Sequence, residues 1–177
     1  MNEAIIDFMK HNIDGGEFRH IHAVGKLCDT AEMIGRLKHI CGIDQLPPGI
    51  EIREYIEDMQ SVMEAADVVL CRAGGSTIAE LTAMGKPAVL IPSPYVANNE
   101  QEKNALQLQK VGGVVVLDEK DCTGEMLFNT VSAILKDEDR LAGMSAAQKT
   151  LGAPEAAADI AELIISLAGE FGIRNEE

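Results

Sequence analysis

The stretch Val68-Val69-Leu70-Cys71-Arg72-Ala73-Gly74-Gly75-Ser76-Thr77-Ile78-Ala79-Glu80 decides the fold. Four apolar residues in a row, Val68 to Cys71, read as a strand covered on both faces, the habit of a parallel sheet. Gly74-Gly75 turns the chain, and residues from about Ser76 to Met84 carry helical spacing. Outward from this unit the same alternation repeats. Upstream, residues 2–12, Thr30 to Cys41 and Met59 to Ala65 read as helices, with strands at Phe18 to Ala23 and Ile50 to Arg53. Downstream, strands Ala88 to Ile91 and Val114 to Leu117 flank a helix over 100–111, and the remainder is helical. Only the polar tail, Arg174 to Glu177, reads as disordered. Repeated strand–helix units predict an α/β domain over residues 1–173: a doubly wound parallel sheet with its strand C-termini along one ligand-binding edge.

Composition narrows the partners. The chain has 177 residues, 46% of them hydrophobic and 25% charged, with no Trp, two Tyr and four Phe. That is enough for one buried core, built from aliphatic residues. A formal net charge of −14 repels phosphate backbones and anionic headgroups, so no nucleic-acid partner is expected. Cys28, Cys41, Cys71 and Cys122 are spread without a C-x-x-C pair, which predicts free thiols and no metal site. With no signal peptide or spanning apolar run, the expected location is cytoplasmic.

The glycine turn carries the chemistry. A helix that starts directly after Gly74-Gly75 aims the amides of Gly75, Ser76 and Thr77 outward, where the helix end holds roughly half a positive charge and suits a diphosphate. A plain tight turn with Ser76 as its N-cap reads equally well from the residues alone. Glu80 lies one turn on and could accept two hydrogen bonds from a ribose diol; a surface carboxylate is the bland alternative. Arg72 faces either the diphosphate or a neighbouring carboxylate, and the residues favour the salt bridge. The cluster Asn98-Asn99-Glu100-Gln101-Glu102-Lys103-Asn104 offers amides suited to sugar hydroxyls, or simply caps a helix. His22 reads as a structural hydrogen-bonder on a strand end, not as a catalytic base.

Several motifs then follow in order: Tyr55-Ile56-Glu57-Asp58-Met59, Ala66 to Gly74, Thr77-Ile78-Ala79-Glu80-Leu81, Gly85-Lys86-Pro87 and Asn98 to Ala105. This set resembles the C-terminal domain of the bacterial peptidoglycan N-acetylglucosaminyltransferases, which make lipid II from lipid I with a GT-B fold of two Rossmann-like domains. The resemblance runs from Asn2-Glu3-Ala4 to Gly152-Ala153-Pro154-Glu155-Ala156-Ala157. It implies a site for UDP-N-acetylglucosamine, as donor substrate and without a cofactor. Ile56 would read the uracil edge through its backbone, and Gly75, Ser76, Thr77, Ile78, Ala79 and Glu80 would wrap diphosphate and ribose. Gln101 would contact the N-acetylglucosamine hydroxyls, and Arg72, Gly74 and Asn104 complete the candidate set. Glu100 departs from the family, which usually has His or Gln there.

The family's opening strand and its G-G-S-x-G-A loop have no counterpart in this sequence. The resemblance therefore places the acceptor site for lipid I, the general base and a membrane-facing patch on an N-terminal domain outside these residues, with the full-length family peripheral on the inner face of the membrane. It implies a chain inactive or nearly so alone. A stand-alone donor-binding subunit that needs a membrane-bound acceptor-binding partner is the alternative. A dinucleotide oxidoreductase is disfavoured, because the turn does not spell G-x-G-x-x-G.

Overall fold

Local signals place most element ends. Asp29 accepts from the amides of Ala31 and Glu32 and starts a helix at Thr30, while Gly42 closes it in the left-handed conformation at φ 65°. Asp58 caps the next helix by accepting from Ser61 at 3.0 Å. In this computed structural model, which describes residues 1–16 and 18–170, the chain runs α1 (Asn2–Gly15), β1 (His20–Ala23), α2 (Thr30–Cys41), β2 (Ile50–Arg53), α3 (Met59–Ala65), β3 (Val69–Cys71), α4 (Gly75–Met84), β4 (Ala88–Leu90), α5 (Glu100–Lys110) and β5 (Val114–Val116). Then come α6 (Gly124–Leu135), α7 (Glu138–Lys149) and α8 (Ala156–Glu170), with short 3-10 turns at Ala97–Asn99 and Glu119–Asp121. The Arg174–Glu177 tail lies outside the described residues.

The strand expected from Phe18 begins two residues later. Asn12, buried on α1, donates from Nδ2 to the Phe18 carbonyl at 2.7 Å and accepts the Phe18 amide at 3.2 Å. Those bonds take the groups that a ladder would have used. All strand pairs are parallel, as expected, but they form two ladders instead of one continuous sheet: β1 with β2, and β3–β4–β5.

Two cores lie on opposite faces. Val89 and Ile91 join Ile5, Met9, Leu37, Leu127 and Ile134 from α1, α2 and α6. Ala88 and Leu90 join Met63, Leu81, Ala105 and Leu108 from α3, α4 and α5. Alternate residues along β4 thus enter alternate cores, the signature of a doubly wound layer. Each fully buried large aliphatic side chain contributes roughly 1.5–3 kcal/mol. The last helix stands apart: on α8, Ile160, Leu163, Ile164 and Ile165 are all exposed.

Candidate functional site

The turn after β3 is built to leave amides free. Gly74 is the N-cap of α4 with an extended backbone, and it has no side chain to cap the helix. The first intrahelical bond runs from the Ile78 amide to the Gly74 carbonyl at 2.9 Å, so the amides of Gly75, Ser76 and Thr77 lie ahead of the helical ladder. A Cβ placed on Gly75 would meet nothing within 4 Å. Packing among the described residues therefore does not require glycine there. The N-cap is Gly74, not Ser76 as in the plain-turn alternative, because the helix begins at Gly75.

Glu80 is exposed on α4, four residues past Ser76. Its charge adds to the burial that pushes the Cys71 thiol up to about 12, which puts the carboxylate near the end of β3. Ile78 is half-buried and Ala79 exposed on the same turn.

Arg72 takes a carboxylate as its partner. Its guanidinium grips Glu119 with two bonds, Nη1 to Oε2 at 3.0 Å and Nη2 to Oε1 at 2.5 Å, and Nη1 also donates to the Ile91 carbonyl at 3.1 Å. The Arg72 bonds hold the Glu119 carboxyl below its usual range. Arg72 thus forms the salt bridge that the residues favoured and ties the ends of β3, β4 and β5 together. Its partner sits 47 residues away. The only sequence signal for it was that Glu119 follows a strand on the same edge.

The amide cluster has a definite polarity. Gln101 accepts the Ser93 amide through Oε1 at 2.9 Å, leaving its Nε2 group as the donor available to a ligand. Asn104 donates to the Ala73 carbonyl at 3.3 Å and so ties α5 to the turn before α4. Asn98 and Asn99 both adopt left-handed backbones, at φ 55° and 51°, just before α5. Glu100 is exposed at the first position of α5. Ile56 buries its side chain, with 6% exposed, in the irregular segment between β2 and α3. It reaches the common edge through strand direction, on the other ladder.

His22 departs from its expected role. Its Nε2 is buried without a hydrogen-bond partner, and burial lowers its pKa to about 4, so the ring is neutral. His20 behaves alike: Nδ1 has no partner, and burial first, then His22, lower its pKa to about 3. Lys26 lies 5.2 Å from the Tyr55 ring centroid, a cation–π contact across the ends of β1 and β2. Among the described residues no three His, Cys, Asp or Glu gather to hold a metal ion, and no helix is long and apolar enough to cross a membrane.

These features define one half of a GT-B glycosyltransferase fold, with the free helix end where such parallel layers take their ligands. The chain belongs to the glycosyltransferase family 28 C-terminal domain family, which it matches over residues 2–169. It is 38% identical over 164 residues to the UDP-N-acetylglucosamine–N-acetylmuramyl-(pentapeptide) pyrophosphoryl-undecaprenol N-acetylglucosamine transferase of Acetivibrio thermocellus, covering 93% of this chain and 43% of that protein. It is 46% identical over 121 residues to the Bacillus cereus transferase 1 of the same name, covering 68% and 33%. The chain thus spans less than half the length of these relatives. The crystal structure of Acinetobacter baumannii MurG superposes with a TM-score of 0.72 at 23% identity, over 93% of this chain and 47% of that one. A UDP-N-acetylglucosamine 2-epimerase gives 0.67 at 18%, over 99% and 42%. At those identities the structures speak for the fold.

Proposed function

We propose that this chain is the donor-binding part of a transferase that moves N-acetylglucosamine from UDP-N-acetylglucosamine to a lipid-linked N-acetylmuramoyl-pentapeptide in peptidoglycan synthesis. The observation that carries the reading is the uncapped start of α4, where Gly75, Ser76 and Thr77 offer amides and nothing among the described residues takes the space above Gly75. Those amides receive the diphosphate and stabilise it as it leaves. Glu80 accepts the ribose hydroxyls, Gln101 donates through Nε2 to the N-acetylglucosamine ring, and the Ile56 backbone reads uracil. Asn104 positions the turn by holding the Ala73 carbonyl.

The attacking hydroxyl needs a base on the acceptor side. That group and the lipid I site belong, in this reading, to a domain outside these residues, and the membrane-borne acceptor sets the chain to work at the inner membrane face. The donor is a substrate, and no cofactor is assigned. Titration with UDP, repeated in EDTA, tests both points by the amide shifts of Gly75 to Glu80. The expected result is saturable shifts in that segment, unchanged by EDTA, with Glu80→Gln weakening UDP about tenfold, the scale of one lost charged hydrogen bond. Saturating UDP that moves none of these amides would sink the assignment. A stand-alone subunit with a separate acceptor-binding partner uses the same site, and the exposed apolar face of α8 favours a chain that meets a partner surface.

A further inference from the structure

The pair Asn98-Asn99 leads the chain into α5, and the donor reading leaves it without a role. Asparagine at a helix start normally has an extended backbone and caps the first turn, accepting an amide through its side-chain oxygen. Asn99 stands at that position with φ 51° and ψ 37°, and it makes no side-chain cap bond. Asn98 precedes it at φ 55° and ψ 18°. Two successive left-handed residues that carry side chains cost stability that glycine would spare. Among the described residues these are the only non-glycine positions with positive φ. Both side chains are exposed, and neither makes a hydrogen bond among the described residues. Capping therefore does not explain the two asparagines, and the turn alone would be served by glycine.

Their place gives them a use. The bond from the Ser93 amide to Gln101 brackets the pair at 2.9 Å, and Asn104, which holds the Ala73 carbonyl at 3.3 Å, ties the same helix to the turn before α4. Asn104 follows Asn99 by about 7.5 Å of helix rise. The two helix ends on this edge differ in charge. α4 has no acidic residue in its first turn, whereas α5 has Glu100 and Glu102. The start of α4 thus suits a dianion, and the start of α5 suits an uncharged polar group. A side-chain amide complements such a group, with an oxygen that accepts and an NH₂ that donates. The Gln101 oxygen is taken by Ser93, so Gln101 offers donors alone. Asn98 and Asn99 offer both.

We propose that Asn98 and Asn99 are specificity-determining residues that read the 2-acetamido group of the donor sugar, a role that rests on the donor reading above. The acetamido group carries one N–H donor and one carbonyl acceptor, and a side-chain amide satisfies both at once. Oδ1 accepts the N–H, and Nδ2 donates to the carbonyl. A sugar with a hydroxyl at that carbon leaves part of the amide unpaired, and the site discriminates by that loss. The left-handed backbone keeps the amides out of capping geometry and so available to the sugar.

The test titrates the 177-residue protein with UDP, UDP-N-acetylglucosamine and UDP-glucose by calorimetry, beside the double variant Asn98→Gly, Asn99→Gly. Glycine takes both left-handed positions without steric cost, so the loop keeps its path and only the amides go. The unaltered protein should hold UDP-N-acetylglucosamine about tenfold or more tighter than UDP-glucose. The variant should bind the two sugars within about twofold of each other and UDP within about twofold of the unaltered protein. It should unfold at the same urea concentration or a higher one. A preference that survives in the variant, no preference in the unaltered protein, or equal weakening of UDP and UDP-N-acetylglucosamine would overturn the proposal. So would a lowered urea midpoint, which marks the pair as a structural turn. If UDP itself fails to bind the unaltered protein, the donor reading falls and takes this one with it.

Discussion

Taking the protein from about pH 7.5 to about pH 5 should weaken the fold through His20 and His22 alone. Each ring is neutral in the folded state, with its pKa lowered from 6.5 to about 3 for His20 and about 4 for His22, chiefly by burial. The unfolded chain takes a proton on each ring near pH 6.5, and the folded chain does not. Stability is therefore complete above that value and falls as the pH drops below it. Each ring gives up about 1.4 kcal/mol per pH unit, or about 2 kcal/mol by pH 5 and about 4 kcal/mol for the pair. That is a large part of the roughly 5–15 kcal/mol that holds a domain together. The Glu119 carboxyl, held down by Arg72, acts in the same sense but at lower pH: its contribution is present above 4.5 and lost as the pH falls through its lowered folded value. Urea unfolding at the two pH values measures the loss, and the His20→Phe, His22→Leu double variant isolates it. Whatever that variant loses at neutral pH, its further loss on acidification should shrink by about 4 kcal/mol. An unchanged pH response in the double variant would refute the reasoning.

Three other substitutions separate support from binding. Gly75→Ala should leave stability within about 1 kcal/mol, since its Cβ meets nothing, yet weaken UDP at least about tenfold by crowding the amides; calorimetry reads both. Arg72→Ala should do the reverse, costing about 1 kcal/mol in urea unfolding by breaking a partly exposed pair, while UDP affinity stays within about twofold. Gly124→Ala should cost about 1–3 kcal/mol, measured as a lowered Tm, because its Cβ would fall against Asp7 and lie 2.5 Å from the Phe8 amide where α6 meets α1.

The features legible in the sequence are those with local causes. α2 and α3 fall where Asp29, Asp58 and Gly42 place them, because a cap acts over three or four residues. The free start of α4 follows from Gly74-Gly75 for the same reason. Phe18 misled because its strand-like character was overruled by Asn12, a side-chain contact that no periodicity encodes. Arg72 was ambiguous because the carboxylate that claims it lies across the sheet edge, on a separate turn. Gln101 was visible as an amide, but which end faces a ligand depends on the Ser93 amide. The split of the sheet was hidden because five strands were each readable, while pairing is a relation between strands.

This division explains how so acidic a chain would present the proposed site for a dianion. The net charge of −14 suggests repulsion, and the one arginine beside the turn is already committed to Glu119. What remains is the backbone. Exposed charges more than a Debye length away, about 8–10 Å, are largely screened, whereas amides at a helix end touch the ligand directly. A backbone site also leaves the side chains free for discrimination. In the proposed reading Glu80 accepts from a diol because it need not neutralise phosphate, and Gln101 donates to a sugar because the Ser93 amide occupies its oxygen. The negative surface then has little bearing on whether the donor binds. Its weight falls on macromolecular partners, where a negative field disfavours polyanions and leaves uncharged surfaces free to approach.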